Sequence, residues 1–146
     1  MTRLAWRGVL IGAVVLAASG CGNSDPTAAE AGEILKSHIT ELMKESHVLD
    51  VRITDSGGRD IPCGEGRARR TFAATAKDAA PQREPDGLNT YLVGELSSVA
   101  PYRIVEDPGN APIRLANETY KTVIILESPA NGQYRVRGET ECLPIL

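Results

Sequence analysis

Residues 27–54 read TAAEAGEILKSHITELMKESHVLDVRIT, and within them the apolar period changes from 3.6 to 2. Ile34, Leu35, His38, Ile39, Leu42 and Met43 fall on two adjacent i, i+4 rows, the stripe of an amphipathic helix. Glu33, Lys36, Thr40, Glu41, Lys44 and Glu45 occupy the rest of its surface. Thr27-Ala28-Ala29-Glu30, preceded by Pro26, has the form of a capping box, in which the threonine hydroxyl and the glutamate carboxylate each accept a first-turn N–H. The stripe therefore predicts a helix from here to about Ser46. Beyond it, Leu49, Val51 and Ile53 alternate with Asp50, Arg52 and Thr54, which predicts a half-buried strand.

Working outward, Ser56-Gly57-Gly58 is a turn, and a loop through Pro62, Cys63 and Gly66 leads to a second strand over 67–76 with Ala68, Phe72, Ala74 and Ala76 inward. The charged, proline-bearing stretch 77–86 reads as a loop. A second helix is expected over 87–99, with Leu88, Tyr91, Leu92, Leu96 and Val99 on one face and Asp86 as N-cap. Strands are expected over 102–106, over 120–128 with Val123 to Leu126 buried on both faces, and over 133–142 after the hairpin signal Asn131-Gly132. Residues 107–112 read as a turn-rich loop. The order α-β-β-α-β-β-β lacks the βαβ repetition of a parallel sheet. It predicts an α+β fold: one antiparallel sheet of four to five strands with two helices packed on one face.

The first twenty residues differ from the rest. Met1 to Arg7 is short and basic, and Gly8 to Ala18 is an apolar run of signal-peptide length, short of the about 20 residues of a membrane-spanning helix. Ala18-Ser19-Gly20-Cys21 resembles the lipobox of bacterial lipoproteins, with alanine where leucine is commonest. That resemblance implies cleavage before Cys21 and a diacylglyceryl group on its thiol, with two or more acyl chains giving stable anchoring. The chain then divides into a signal peptide (1–20), a lipidated N-terminus and short tether (21–26) and a single α+β domain (27–146). The alternative is an ordinary secretory signal cut near Ala18, with Cys21 a free thiol. The tether reaches at most about 3.5 Å per residue, so the domain is expected close to the extracytoplasmic face of the cell membrane.

Loss of residues 1–20 leaves 126 of the 146 residues and, because Arg3 and Arg7 go with them, moves the formal net charge from −3 to −5. An acidic domain argues against non-specific nucleic-acid binding. With Cys21 assigned to lipid, Cys63 and Cys142 are left as an even pair in an exported chain, and a disulfide is expected between them. A metal or redox pair is the alternative, without CxxC spacing or a nearby histidine. The acylated leader, the amphipathic helix, the cysteine-bearing loop Ile61-Pro62-Cys63-Gly64 and the closing run Arg137-Gly138-Glu139-Thr140-Glu141-Cys142 together resemble the small lipoproteins of actinobacteria. This resemblance implies a location and a fold, and no assigned activity.

Chemistry-bearing patterns are few. His38 and His47, nine residues apart, lie on opposite sides of one helix and cannot share a site on it. There is no GxSxG elbow, phosphate loop, HExxH or acidic calcium loop, so no catalytic set, cofactor or metal is expected. Arg59, Arg67, Arg69 and Arg70 are the densest charge cluster, able to meet anionic headgroups or an acidic partner. The competing expectation pairs these arginines with carboxylates such as Asp50 or Glu139. The function expected is a non-catalytic binding or interaction module with an envelope protein partner. An inhibitor or exclusion lipoprotein blocking a wall-lytic enzyme or phage factor is the alternative, and it predicts a protruding loop at 77–86 or 107–119.

Overall fold

In the computed structural model, residues 24–109 and 112–146 are described; the expected signal peptide and Cys21 lie outside them. The elements are α1 (Ala28–Glu45), β1 (Leu49–Asp55), β2 (Ile61–Gly64), β3 (Arg67–Arg69), β4 (Thr71–Lys77), α2 (Pro85–Val99), β5 (Arg103–Glu106), β6 (Ile113–Asn117), β7 (Thr122–Glu127), β8 (Gln133–Thr140) and β9 (Leu143–Pro144). They form an α+β fold with a six-stranded antiparallel sheet, order β1-β4-β8-β7-β6-β5, and a small three-stranded sheet, order β2-β3-β9.

The capping box is formed: Glu30 N–H donates to Thr27 Oγ1 at 3.2 Å, and Thr27 N–H donates to Glu30 Oε2 at 2.8 Å. Those hydrogen bonds hold the Glu30 carboxyl below its ordinary pKa. The stripe behaves as the period requires, with Leu35, Ile39, Leu42 and Met43 buried. They meet the inward residues of the large sheet, Phe72, Ala74 and Ala76 of β4, Tyr134 and Val136 of β8, Ile124 and Leu126 of β7 and Leu115 of β6. Direct cross-strand pairs share a face, and the register Phe72↔Gly138↔Ile124 and Ala74↔Val136↔Leu126 puts all of these on the same side. Leu88, Leu92 and Leu96 of α2 close the same core, and α2 lies against α1 and β7.

Gly138 sets how close α1 can come. A Cβ there would sit 2.4 Å from Leu35 Cδ1 and 2.9 Å from Ile39 Cδ1. The helix is thus seated directly on β8, where any side chain would lift it.

Several expectations are corrected. The large sheet has six strands rather than four to five, because β6 lies within the expected loop 107–119 and β1 and β5 form its two margins. The expected strand 67–76 is two strands broken at Arg70, each in a different sheet. The last strand ends at Thr140, and the chain turns at Cys142 into β9. The segment 120–128 narrows to 122–127, since Tyr120 and Lys121 belong to the β6–β7 turn, where Lys121 has φ 54°. The N-cap of α2 is Glu84, not Asp86, because Pro85 takes the first helical position, where a missing N–H costs nothing. β1 has no buried face: its apolar residues Leu49, Val51 and Ile53 are exposed along with the polar ones between them.

Gly138→Val is expected to destabilise the fold by about 1–3 kcal/mol through overpacking, read as a lower urea midpoint at unchanged slope. Adding Leu35→Ala, which opens the space the new side chain needs, should make the double variant less destabilised than the sum of the two singles.

Candidate functional site

Three features of the surface bear on function: the small sheet with its disulfide, the open face of the large sheet, and a groove between α1 and β1. Cys63 and Cys142 are disulfide-bonded, with Cα atoms 5.9 Å apart. Cys63 is in β2 and Cys142 immediately precedes β9, so the bond joins the two outer strands of the small sheet. Ala68 and Leu143 of that sheet pack against Ala28 and Ala31 of α1 as a second, smaller core.

The arginine cluster divides. Arg70, whose side chain is only 16% exposed, donates to Asp60 at 2.8 Å and lies over Gly32 of α1. It therefore leaves the expected surface patch. Arg67 donates to the Cys142 carbonyl and stays exposed. Arg59, Arg67 and Arg69 take part in none of the ion pairs among the described residues. Neither expected partner is used: Asp50 pairs with Lys77 at 2.8 Å and Glu139 with Arg114 at 3.3 Å.

On the open face of the large sheet, Arg114 also reaches Glu106 at 3.7 Å and Arg135 reaches Glu127 at 3.1 Å. This is a ladder of cross-strand charges around Ile125, with Thr71, Ala73 and Thr75 as its small members. Asp55 accepts from the Thr71 hydroxyl at 2.5 Å and the Gly57 N–H at 2.9 Å, and these two bonds hold its pKa down. Each of its oxygens thus accepts one hydrogen bond, tying the turn after β1 to β4.

The two histidines are separated, but not by helical spacing, because α1 ends at Glu45 and His47 lies beyond it. His38 lies edge-on to Tyr102 and Tyr120, with Nδ1 3.0 Å from the Tyr102 hydroxyl, which is 2.8 Å from Thr122 Oγ1. Burial pushes the His38 pKa down and that of Tyr102 up to about 12. The three residues form a chain of neutral polar groups joining α1 to the sheet. His47, at φ 50° just past α1, is exposed. Among the described residues no three His, Cys, Asp or Glu side chains converge as metal ligands, and no helix is long and apolar enough to cross a membrane.

The groove was not foreseen in the sequence. It is an open hollow of about 300 Å³ lined by Ile39, Met43, Val48, Val51, Ile53 and Phe72, with Thr40, Lys44 and His47 at its rim. It arises because α1 sits over β8 and β4 and leaves the inward side of the sheet margin uncovered. β1 carries irregularities between Leu49 and Arg52 and between Ile53 and Asp55, and Asp50 has φ 50°. Such bulges guard a free sheet edge against indiscriminate pairing and leave a short regular stretch around Arg52 and Ile53.

Loop 78–84 does not protrude. Asp78 N–H donates to the Gly132 carbonyl at 2.9 Å, Gly132 N–H donates to the Arg83 carbonyl at 3.0 Å, and a Cβ on Gly132 would lie 2.6 Å from the Pro81 carbonyl oxygen. Arg83 reaches back to the buried Asp78 carboxylate at 3.3 Å and stacks over Tyr91 at 4.9 Å. The second candidate loop, 107–119, is cut to 107–112 by β6. No protein-family model matches the chain, and no curated protein or solved structure is significantly similar to it.

His38 takes up a proton less readily folded than at its ordinary value of 6.5. Its burial is therefore harmless above that pH, and stability falls as pH drops below it, because the unfolded chain is protonated first. Urea midpoints taken at about pH 8 and about pH 5 should show this loss, and His38→Gln should flatten it. The Cys63→Ser/Cys142→Ser variant should lose up to about 4–5 kcal/mol by the chain-entropy account of a loop of this length.

Proposed function

We propose that this protein is a lipid-anchored, extracytoplasmic binding module that acts without catalysis and takes an extended apolar peptide segment of an envelope protein along β1. The observation that carries this reading is the α1–β1 groove, where half-exposed Val51 and Ile53 stand beside a sheet edge that is unpartnered among the described residues. A peptide strand laid along β1 uses both parts at once: its backbone pairs with the free N–H and C=O groups, and alternate side chains enter the hollow. At about 300 Å³ the hollow lies at the bottom of the range for small-molecule sites. It suits a few aliphatic side chains better than a cofactor.

Other parts of the molecule support the same reading. The open sheet face is engaged in charge pairs, with the Glu106 and Glu139 carboxylates both drawn to Arg114, Asp55 accepts from Thr71 and the Gly57 turn, and His38 lies against two tyrosines. The groove begins at Ile39, eleven residues along α1 from Ala28, about 17 Å from the end that continues into the tether. A partner seated there stands clear of the anchoring end.

A photo-crosslinking side chain introduced in place of Val51 should yield a discrete adduct with one envelope protein, and Ile53→Asp, at a half-exposed groove position, should abolish it without unfolding the chain. Adducts that form equally from Ile104, on the opposite sheet margin, would sink the groove as the site. Cys21→Ala should move the protein from the membrane fraction to the soluble fraction; persistent membrane association overturns the lipid anchor.

A further inference from the structure

We infer that the free face of the β2–β3–β9 sheet is a docking surface for a bilayer of anionic phospholipid, with Arg59, Arg67 and Arg69 meeting headgroup phosphates and Ile61 entering the interface. This inference rests on the lipid anchor proposed above and adds the orientation in which the anchored domain lies.

The first support is position. Ser24, Asp25 and Pro26 line a surface hollow with Glu118, Thr119 and Lys121 of the β6–β7 turn, and Asp25 Oδ1 lies 3.6 Å from Lys121 Nζ. The Lys121 carbonyl in turn accepts from Glu141 N–H at 2.8 Å, one residue before Cys142. The chain that leads back to Cys21 thus passes the root of the small sheet. Two residues, Gly22 and Asn23, separate Ser24 from Cys21, and the three Cα–Cα steps span about 10 Å fully extended. A surface held that close to a bilayer meets it at a high effective concentration, so weak contacts suffice to fix orientation.

The second support is the chemistry of the face. Ala68 and Leu143 point at α1, so the pairs Ile61↔Arg69 and Arg67↔Pro144 present the opposite side. Ile61 is 45% exposed, Ile145 41%, and Leu146 fully exposed. Arginine stems lie along apolar surface while the planar guanidinium bridges phosphate oxygens, the arrangement an interface rewards. Asp60 is neutralised by Arg70, Asp55 lies close enough to Arg59 to feel its charge, and Glu65 and Glu141 flank the patch in the chain. Each basic side chain at an anionic surface strengthens attachment about fivefold. The rest of the domain is acidic and repelled by the same surface, so charge selects this face.

The test uses the full lipidated chain in vesicles. Trp6 is the only tryptophan and leaves with the leader, so Ile61→Trp gives the mature protein a single reporter. In vesicles rich in brominated phosphatidylglycerol its emission should fall about twofold, as for a ring at the headgroup boundary, and in brominated phosphatidylcholine it should change little. Arg59→Glu/Arg69→Glu, two side chains without a hydrogen bond to the described residues, should abolish the quenching while the Cys63–Cys142 disulfide and membrane attachment persist. Equal quenching in both lipids, quenching that survives the double substitution, or equal quenching of Ile53→Trp on the β1 margin would overturn the docking. Mass analysis of the N-terminus separates the two readings: an acylated chain without quenching overturns the docking alone, and a chain without acyl groups overturns the anchor and the docking with it.

Discussion

The contact between α1 and β8 at Gly138 is the constraint on which the rest of the structure depends. With no Cβ in the way, Leu35 and Ile39 rest on the strand backbone, and helix and sheet share one dense layer. Burying a leucine or isoleucine side chain contributes roughly 1.5–3 kcal/mol, so this seating and the three leucines of α2 account for much of the driving force that fixes the sheet register. A one-residue slip of β8 would place Arg137 under the helix. The glycine thus specifies both the distance and the register.

That same seating produces the groove. A helix centred over β4 and β8 cannot also cover the margin of a six-stranded sheet, and α2 is committed to the other side, over β7. The apolar side of β1 remains open as a result. Val51 and Ile53 are residues of a core strand that has no second layer above it. Exposed apolar positions beside a free edge are a liability unless a partner uses them, and the bulges of β1 contain that liability in the free protein.

The parts legible in the sequence were those where one local rule acts without competition. The period of α1, its capping box and the leucine face of α2 all appear where residue spacing places them. The less legible parts were set by tertiary placement. Val51 and Ile53 alternate as a half-buried strand should, but alternation reports which side a residue faces and not whether anything covers that side. β6 was hidden because Gly109 and Pro112 dominate the reading of its surroundings, although Ile113 and Leu115 alternate correctly. Arg70 occupies an inward position of what reads as one strand; its charge is accommodated because the strand breaks there and Asp60 comes within 2.8 Å. The division of the arginines into three exposed and one engaged depends on that break, and no spacing rule announces it. The α1–β1 groove had no sequence signal of its own, beyond an apolar strand at the edge of the chain order.

The disulfide has a consequence for how the chain withstands proteolysis. Cys63 and Cys142 close a covalent ring that contains β3 to β8 and α2, while α1 and β1 lie outside it on the N-terminal side. A protease that cuts once within the ring, in loop 78–84 or in the 107–112 connection, produces two pieces still joined through sulfur, and neither is shed. Only a cut on the N-terminal side of Cys63 separates the ring from α1 and the chain before it. That confines the cuts that can detach the ring from the N-terminal part of the chain to the segment before Cys63, most of which among the described residues is the capped helix α1 and the strand β1.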